Sequence, residues 1–499
     1  MDSLFQDIRY ALQQLWKSPA FAFTAVISLA LGIAATTSVF SVVYGVLMNP
    51  YPYAYSKRMV HLIVIDPAGS ENWINLTGPQ VEIFRQARAV ESVAAQNDWD
   101  LIITGKDVPE DVEAVYFTPN AMTLLGVPAL LGRELISSDA PPGQDPQPVA
   151  VLTYKFWQRH FGGDPEVLGK SLELVHKTYT IVGVMPDRFT WGDEPDVYLP
   201  LRLTLDPVKN FFPLILLKPG VTHAAANAEF QALLQQFAKD PHWHGPKQFR
   251  TQVQGLNEHF VKRLGTTLAL LFVAVALLLV IGCGNVSILL LARGTARQHE
   301  LAIRGAMGAN RGRIVRQLLT ESIILSLAGA LLGIALSYGN VSLMKRWLPE
   351  GSFPHEAAIT INLPVLCFCV ALAVLTGILF GLSPALRFSR PEIAQIIAAS
   401  GKRLIGNVRG KRTHNALVAA QLALTLLLLT AAGTAAAGFL ELRHTKLGYD
   451  PKNVMSVGIP VHENTYGTWQ ARATYFDQLR QRIAALPEVV SAGISTNAT

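Results

Sequence analysis

The sequence predicts an α-helical polytopic membrane protein, with about five transmembrane helices and an inserted α+β extracytoplasmic domain. Half of its 499 residues are hydrophobic and only 16% are charged, which is unusual for a soluble globular protein. Several long runs contain no Asp, Glu, Lys or Arg. Each run holds the roughly 20 mostly apolar residues that a helix needs to cross the hydrocarbon core.

The charge-free runs divide the chain into segments. The first run could also be a cleaved signal peptide, but its apolar stretch far exceeds the roughly 7 to 15 residues of such a peptide, so we favour a span. In chain order we predict a cytoplasmic amphipathic helix (1–20), a first span (21–48), an extracytoplasmic α+β domain (49–263), a second span (264–292), a cytoplasmic region with a short helix (293–318), a third span (319–341), a short outer loop (342–362), a fourth span (363–386), a cytoplasmic basic linker (387–413), a fifth span (414–440) and the start of a second outer domain (441–499).

Lys and Arg residues beside the spans predict the orientation. With a cytoplasmic N-terminus, the three inside segments carry 2, 6 and 7 basic residues against only four acids. The long segment 49–263 holds 19 basic and 24 acidic residues, so it is predicted to lie outside. The net charge of +6 therefore reflects membrane topology and contact with lipids, and we expect no nucleic-acid partner.

The long outer segment alternates strand and helix patterns. Period-two alternation and β-branched runs predict strands, while 3.6-residue periodicity predicts helices. The predicted strands are 59–65, 149–153, 171–186 and 212–217, and the predicted helices are 79–90, 154–161 and 224–238.

The end of the chain resembles the opening of a second copy of its beginning. The first span contains Ser28-Leu29-Ala30-Leu31 and the fifth contains Gln421-Leu422-Ala423-Leu424. Each span is followed by an apolar strand-like stretch, a helical pattern and a second such stretch, which in the later copy are VMSVGI, TYFDQLRQRIAAL and VVSAGI. We therefore expect this chain to be a truncated form of a duplicated protein of about 800 residues.

The stretch from Gly163 to Ser171 resembles a phosphate-binding loop. Such a loop needs four residues between its glycines and a helix after it, whereas five residues separate Gly163 from Gly169 and a strand pattern follows Ser171. Asp164 would also repel phosphate. We therefore predict an ordinary turn here, and no nucleotide cofactor.

Other polar groups suggest weaker sites. His242 and His244 have a spacing that can chelate metal, but further ligands are missing and a solvated loop is favoured. Asp193, Glu194 and Asp196 crowd together in a string typical of a turn. We predict no catalytic residue, metal or cofactor, and no enzyme activity.

Polar residues and thiols also lie inside the predicted spans. Asn285, in the second span, could hydrogen-bond a neighbouring helix or serve a function, and the residues alone leave both interpretations open. The three cysteines, Cys283, Cys367 and Cys369, all fall within spans, which favours packed or lipid-facing thiols over metal or redox chemistry.

The most informative segment is ARGTARQHELAIRGAMGANRGRIVRQLLTES, from Ala292 to Ser322. Glu300 and Arg304 are four apart in the favourable order on a helix. Gly308 suits a helix C-terminus, and Asn310 can cap the helix that follows. The pattern predicts a short basic helix joined by a tight corner to the third span. It can pass on a push from a partner, or it is a plain basic anchor at the lipid surface.

The chain resembles the MacB/FtsX-like permeases of ATP-binding-cassette transporters, and especially the duplicated orphan permeases of acidobacteria. The matching stretches are DIRYALQQLWKSPAFAFTAVISLALGIAATTSVFSVV, FWQRHFGGDPEVLGKSLELVHKTYTIVGVMP, RQHELAIRGAMGANRGRIVRQLLTES and GILFGLSPALRFSRPE. They are spread over nearly the whole chain. In this family the FGGDP and LGK stretch of the outer domain binds no nucleotide.

The resemblance implies a permease subunit moved by a separate cytoplasmic ATPase. The short helix before the third span would be a coupling helix that docks on that ATPase, and closure of the ATPases would rearrange the outer domain, a process called mechanotransmission. The residues that would make or shape the contact are Arg297, Glu300, Arg304, Gly305, Gly308 and Arg311. A periplasmic adaptor or an outer-membrane channel would be further partners.

Two departures from the family pattern affect these expectations. His299 stands where a basic or polar residue is expected, and the second permease module is missing, so a second ATPase contact would need a homodimer or a partner. The alternative function is that of FtsX-like signalling or scaffold proteins, which control an extracytoplasmic partner such as a cell-wall hydrolase.

Overall fold

A computed structural model describes residues 2–104, 110–192, 194–204, 206, 209–241, 243, 245–297, 300, 303, 311–347, 353–388, 408–444, 453–457, 459 and 468–495. The chain forms two compact units. The helical unit comprises residues 1–52 and 257–443, and the sheet unit comprises residues 53–256 and 444–499.

Helices and strands are numbered here in chain order. The helices are α1 (Asp2–Trp16), α2 (Pro19–Val43), α3 (Gly78–Arg85), α4 (Asn120–Leu125), α5 (Tyr154–Phe161), α6 (His223–Phe237), α7 (Glu258–Ala296), α8 (Arg311–Trp347), α9 (Leu363–Phe388), α10 (Val408–Arg443) and α11 (Trp469–Ala484). The strands are β1 (Met59–Ile65), β2 (Glu71–Trp73), β3 (Leu76–Thr77), β4 (Val90–Ile103), β5 (Glu110–Phe117), β6 (Leu131–Gly132), β7 (Val149–Leu152), β8 (Ser171–Leu174), β9 (Lys177–Val184), β10 (Val197–Pro200), β11 (Asn210–Leu217) and β12 (Arg250–Gly255).

Five long apolar helices in the described part of the chain can cross a membrane, which confirms the predicted fold class. They are α2, α7, α8, α9 and α10. A π-helical turn, Tyr44–Met48, extends α2, and the N–H of Asn49 closes it by donating to the carbonyl oxygen of Tyr44 over 2.8 Å. The side-chain amide of Asn257 donates through Nδ2 to the carbonyl oxygen of Leu47 over 3.0 Å, so this carbonyl group at the end of the helix has a hydrogen-bond partner.

Two glycine pairs let neighbouring helices approach closely. Gly329 and Gly333 of α8 lie against α2, where an added Cβ at Gly329 would come 2.8 Å from the Cβ of Leu29. Gly377 and Gly381 of α9 lie against α8, where an added Cβ at either would come within 2.7 Å of a hydroxyl oxygen of that helix. Both pairs have the small-xxx-small spacing that favours close helix packing in membranes. The core of this unit is therefore built on backbone contact between α2, α8 and α9.

Hydroxyl groups reinforce the same helix interfaces. Ser326 of α8 donates to the carbonyl oxygen of Ala373 over 2.6 Å, and Ser337 donates to that of Ala34 over 3.2 Å. Thr36 of α2 donates to the carbonyl oxygen of Val275 over 3.3 Å. Such interhelical bonds stabilise helix packing by about 0.6 kcal/mol each where water is absent.

The sheet unit is built on a 12-stranded mixed sheet. Its main order is β12-β1-β11-β4-β5-β10-β7-β9-β6, with β2, β3 and β8 attached at its side. One hydrophobic core packs α3 and α6 on the strands around β1 and β11, and includes Phe84 and Phe230. A second core packs α5 against β5, β7, β9 and β10, and includes Phe156 and Leu199. This confirms the predicted α+β domain.

The stretch 171–186 differs in one respect from its predicted single strand. It folds as the hairpin β8–β9, with Leu174 paired to Lys177 across the turn residues Val175 and His176. Both turn residues have positive φ, at 49° and 60°, a conformation that usually requires Asn or Gly. The N–H of Val175 donates to the carbonyl oxygen of Ile102 and so helps to hold the turn. Because such contacts hold the turn, it forms without Gly or Asn, and the sequence therefore shows no turn signal here.

The stretch that resembles a phosphate-binding loop is a turn, as predicted. Gly162, Gly163 and Gly169 all have positive φ, and the strand β8, not a helix, begins at Ser171. The ammonium group of Lys170 lies 2.5 Å from a carboxylate oxygen of Asp164, so it is already neutralised within the loop.

The apparent second copy at the end of the chain is only partly matched by structure. The helical pattern forms α11, capped by the hydroxyl of Thr468, which accepts from the N–H of Ala471. The strand-like stretches before and after it form no strand among residues 453–457, 459 and 485–495. A strand needs a hydrogen-bonded neighbour, and the described part of these stretches has none.

Candidate functional site

The candidate coupling segment lies between α7 and α8. Three of its six predicted contact residues, Arg297, Glu300 and Arg311, belong to the described structure. Arg304, Gly305 and Gly308 lie outside the described residues, as does His299. Arg311 begins α8 with an exposed side chain.

Arg297 ends α7 and turns its side chain inward. Its N–H caps the helix by donating to the carbonyl oxygens of Arg293 and Gly294 over 3.2 Å. Only 15% of its side chain is exposed. Its Nε donates to Glu300 Oε2 over 3.2 Å, and its Nη1 donates to Glu321 Oε2 over 3.3 Å.

A tyrosine from the N-terminal helix completes this group. The hydroxyl of Tyr10 donates to Glu300 Oε1 over 2.8 Å and accepts from Nη2 of Arg297 over 3.1 Å. We call Tyr10, Arg297, Glu300 and Glu321 the Arg297 cluster. It joins α1, the end of α7, the segment after α7, and α8 through side-chain hydrogen bonds.

The polar face of α1 explains its position. Asp7, Tyr10 and Gln14 are spaced by three and four residues, so they share one face of the helix. The Nε of Arg316 on α8 donates to Asp7 Oδ2 over 2.7 Å, and Gln14 Nε2 donates to the hydroxyl of Tyr10 over 2.8 Å. Another face of α1 exposes Ile8, Leu12 and Trp16. The helix is therefore amphipathic, and its predicted position along the membrane surface stays a prediction.

The cluster contains a buried carboxylate. The side chain of Glu321 is 3% exposed, and Gln317 Nε2 donates to its Oε1 over 3.4 Å. Burial alone would lower the pKa of the Arg297 guanidinium, but the carboxylates of Glu321 and Glu300 hold this pKa above its usual value. Arg297 is therefore permanently charged, and its charge makes the burial of Glu321 tolerable.

A second arginine lies beside the cluster. Nη2 of Arg293 donates to the carbonyl oxygen of Gln14 over 2.7 Å, and its guanidinium lies 4.7 Å from the centre of the Phe21 ring. A cavity of about 20 Å³, room for one water molecule, is lined by residues of α7, α8 and α9, including Arg293, Glu321 and Pro384. The three helices therefore meet tightly at this end of the unit.

Sequence reasoning found part of this arrangement and missed the rest. It selected Arg297 and Glu300, which the structure brings together with Tyr10. The expected interaction of Glu300 with Arg304 stays a prediction, because Arg304 lies outside the described residues. It missed Tyr10, Gln14 and Glu321. A carboxylate at the edge of an apolar run, as at Glu321, is a signal for a buried partner of opposite charge.

Other polar candidates have structural roles in the described residues. Asn285 Oδ1 accepts from Gln421 Nε2 over 2.8 Å, which confirms the expected contact between neighbouring helices. Asp196 pairs with Arg159 over 3.0 Å. Burial raises the pKa of Asp196, although Arg159 opposes the shift. Asp193, His242 and His244 lie outside the described residues.

Two family models match the chain. Residues 22–233 match the MacB-like periplasmic core domain, and residues 271–393 match the C-terminal domain of FtsX-like permeases. The first contains most of the sheet unit, and the second contains the segment around the Arg297 cluster.

Several characterised proteins and solved structures are similar to this chain. The macrolide export ATP-binding/permease protein MacB of Chromobacterium violaceum is 31% identical over 242 residues, which cover 47% of this chain and 36% of that protein. The pyoverdine export ATP-binding/permease protein PvdT of Pseudomonas syringae pv. syringae is 28% identical over 257 residues, with coverages of 50% and 37%. The periplasmic region of MacB from Actinobacillus actinomycetemcomitans is 13% identical, with a TM-score of 0.33, and the match covers 46% of this chain and 97% of that region. The chain thus spans little more than a third of the length of the two export proteins.

Proposed function

Because the chain combines a MacB-like periplasmic core domain with an FtsX-like permease domain, we propose that it is the transmembrane subunit of an ATP-driven export machine. In this proposal the N-terminus and residues 293–318 lie in the cytoplasm. A separate ATPase subunit docks on residues 293–318. When the ATPase binds ATP and closes, it pulls this segment. The pull moves the spans and rearranges the extracytoplasmic domain by mechanotransmission.

The Arg297 cluster is the observation that carries the proposal. Glu300 is in the segment where the ATPase would dock, and it is bonded directly to Tyr10 of α1 and to Arg297 at the end of α7. Arg297 in turn bonds Glu321 of α8. A displacement of Glu300 would therefore act on three helices at once, which a plain basic anchor at the lipid surface would not require.

Export is favoured over signalling because the similar characterised proteins carry export in their names. A periplasmic adaptor or an outer-membrane channel would then receive the substrate, which need not cross the membrane through this chain. A homodimer would supply two ATPase contacts. A permease with a signalling role would instead hold a cell-wall hydrolase.

Two exposed arginines on one helix allow a matched test of ATPase docking. Arg311 begins α8 and Arg346 lies in its last turn, so the proposal places them on opposite sides of the membrane. Arg311→Glu and Arg304→Glu should weaken retention of the ATPase at least tenfold, since the charge at a protein contact is reversed. Arg346→Glu should leave retention unchanged. Affinity purification of the tagged chain with identification of bound proteins by mass spectrometry measures this.

The outcomes separate the alternatives. Equal melting temperatures of the three variants would show that loss of the ATPase does not come from unfolding. Retention of the ATPase by Arg311→Glu and Arg304→Glu at the wild-type level would remove the docking role. Co-purification of a peptidoglycan hydrolase without an ATPase would favour the signalling function. Labelling of a cysteine at position 303 from the periplasmic side would overturn the orientation.

A further inference from the structure

The sheet unit contains a second polar site, remote in sequence from the candidate coupling segment. It is a cavity of about 260 Å³, lined by cationic, phenolic and apolar side chains. Its principal lining residues are Tyr116, Lys177, Tyr179, Pro200, Leu201 and Arg202. The volume is close to the lower end of the range for small-molecule sites, about 300 Å³.

Two cations face this cavity. Lys177 has an exposed side chain whose ammonium group lies 5.2 Å from the centre of the Tyr179 ring. Arg202 is half-buried and lies 3.3 Å from Asp145, a carboxylate that is 91% exposed. An ion pair with so exposed a partner contributes less than about 1 kcal/mol to stability. Arg202 can therefore leave Asp145 and bind another anion. Among the described residues, none that lines the cavity carries a carboxylate.

Two tyrosine hydroxyls supply neutral hydrogen-bonding groups. The phenol groups of Tyr116 and Tyr179 both belong to the lining. Burial raises the pKa of both phenols above the ordinary value of 10, so both stay protonated at neutral pH. Thr204 adds a third hydroxyl to the lining.

The walls of the cavity are held by backbone contacts. Tyr116 lies in β5, opposite Leu199 of the neighbouring strand β10. The N–H of Leu201 donates to the carbonyl oxygen of Phe117 over 2.6 Å, which fixes the chain just after β10. At Gly78 an added Cβ would come 2.0 Å from the carbonyl oxygen of Thr204, so the segment containing Arg202 packs directly on the start of α3. The site is therefore largely preformed.

We propose that this cavity binds an organic anion, in which a carboxylate or a phosphate group is attached to a small apolar body. Lys177 and Arg202 would neutralise the charge, and the hydroxyl of Tyr179 would donate to an anion oxygen. The two phenol rings, Pro200 and Leu201 would cover the apolar part. The inference concerns ligand binding by the sheet unit, and it stands or falls independently of ATPase docking.

Fluorine NMR with 4-fluorobenzoate and the full chain in detergent tests this proposal. For a ligand of this size we expect saturable binding with a dissociation constant on the order of 1 mM. Lys177→Met and Arg202→Met should each weaken binding about tenfold, because each removes a charge-assisted contact. Tyr179→Phe keeps the ring and should weaken binding about threefold. Lys239→Met changes an exposed lysine that does not line the cavity and should have no effect.

Further comparisons make the result decisive. The neutral analogue 4-fluorobenzyl alcohol should not bind, and phenyl phosphate should displace 4-fluorobenzoate more effectively than inorganic phosphate does. Equal binding by wild type, Lys177→Met and Arg202→Met would overturn the site, as would equal binding of the alcohol. Displacement by inorganic phosphate as strong as by phenyl phosphate would overturn the apolar half of the proposal. Wild-type melting temperatures of the variants would show that lost binding is not lost folding.

Discussion

The first and fifth spans have similar sequences but different surroundings. The apolar stretch of α2 is 61% buried within the described structure, whereas that of α10 is 0% buried. Both stretches are long, apolar and rich in small residues. Apolar composition predicts that a segment spans a membrane, but it does not predict whether other helices or lipids surround that segment.

The neighbouring helices determine this difference in burial. The close contacts between α2 and α8 depend on Gly329 and Gly333, which belong to α8. α10 has glycines of its own at Gly433 and Gly438, but an added Cβ at either would meet no atom within 4 Å. A small residue leads to tight packing only where a complementary helix lies against it.

Both spans contact α7 at residues that the sequence repeat makes equivalent. At Gly282 of α7, an added Cβ would come 3.0 Å from the carbonyl oxygen of Ser28 of α2. Gln421 of α10 donates to Asn285 and to the carbonyl oxygen of Ile281, over 2.8 and 3.0 Å. α7 therefore receives the backbone of the first span and a side chain of the fifth at nearly the same level.

The largest expected loss of stability is at the Arg297 cluster. Arg297→Met should destabilise the protein by about 3 kcal/mol, because it leaves the buried carboxylate of Glu321 without its cation. Arg443→Met removes an exposed arginine from the last turn of α10 and should change stability little. Thermal unfolding in one detergent compares the two. Equal melting temperatures of both variants would show that the Arg297 cluster does not stabilise this end.

A smaller effect is expected at the contact between α2 and α8. Gly329→Leu should cost about 2 kcal/mol, because the new side chain must displace Leu29 or separate the two helices. Gly339→Leu lies on the same helix, where no atom is within 4 Å, and is the matched control. Melting temperature and retention in size-exclusion chromatography measure the difference. If both variants were equally stable, close approach of α2 and α8 would not be needed.

The smallest effect is expected at α10. Gln421→Leu removes two hydrogen bonds to α7 and should cost about 0.6 kcal/mol for each bond lost, part of which the apolar side chain would restore. Disulfide crosslinking between cysteines placed at 281 and 424 would report whether α10 leaves α7. A destabilisation as large as that of Gly329→Leu would contradict the weak attachment of the fifth span.

The membrane helices could be predicted because their signal is local. A charge-free run of sufficient length is enough to identify a span, and α5 was likewise predicted at its observed bounds, Tyr154–Phe161. The hairpin β8–β9 was not separated into two strands, because its turn residues are Val175 and His176. Their conformation is stabilised by β4, which is distant in the sequence.

In the candidate site, too, the sequence predicts local contacts but not contacts between distant residues. Arg297 and Glu300 are three residues apart, and their pairing is a local feature. Tyr10 and Glu321 meet them only because α1 and α8 pack against the end of α7, at separations of 287 residues for Tyr10 and 24 for Glu321. For Tyr10 the signal was the face shared by Asp7, Tyr10 and Gln14, since a polar stripe on an amphipathic helix can contact either water or a partner.

The π-helical turn at Tyr44–Met48 has a consequence for how the length of the first span can vary. A π-turn contains one residue more than an α-turn. Deleting one residue there would restore the ordinary hydrogen-bond pattern and keep the flanking segments in their rotational phase. A deletion within α2 itself would instead rotate one part of the helix by about 100° relative to the other and turn its packed face away. The end of the span is thus the place where one residue can be lost at least cost.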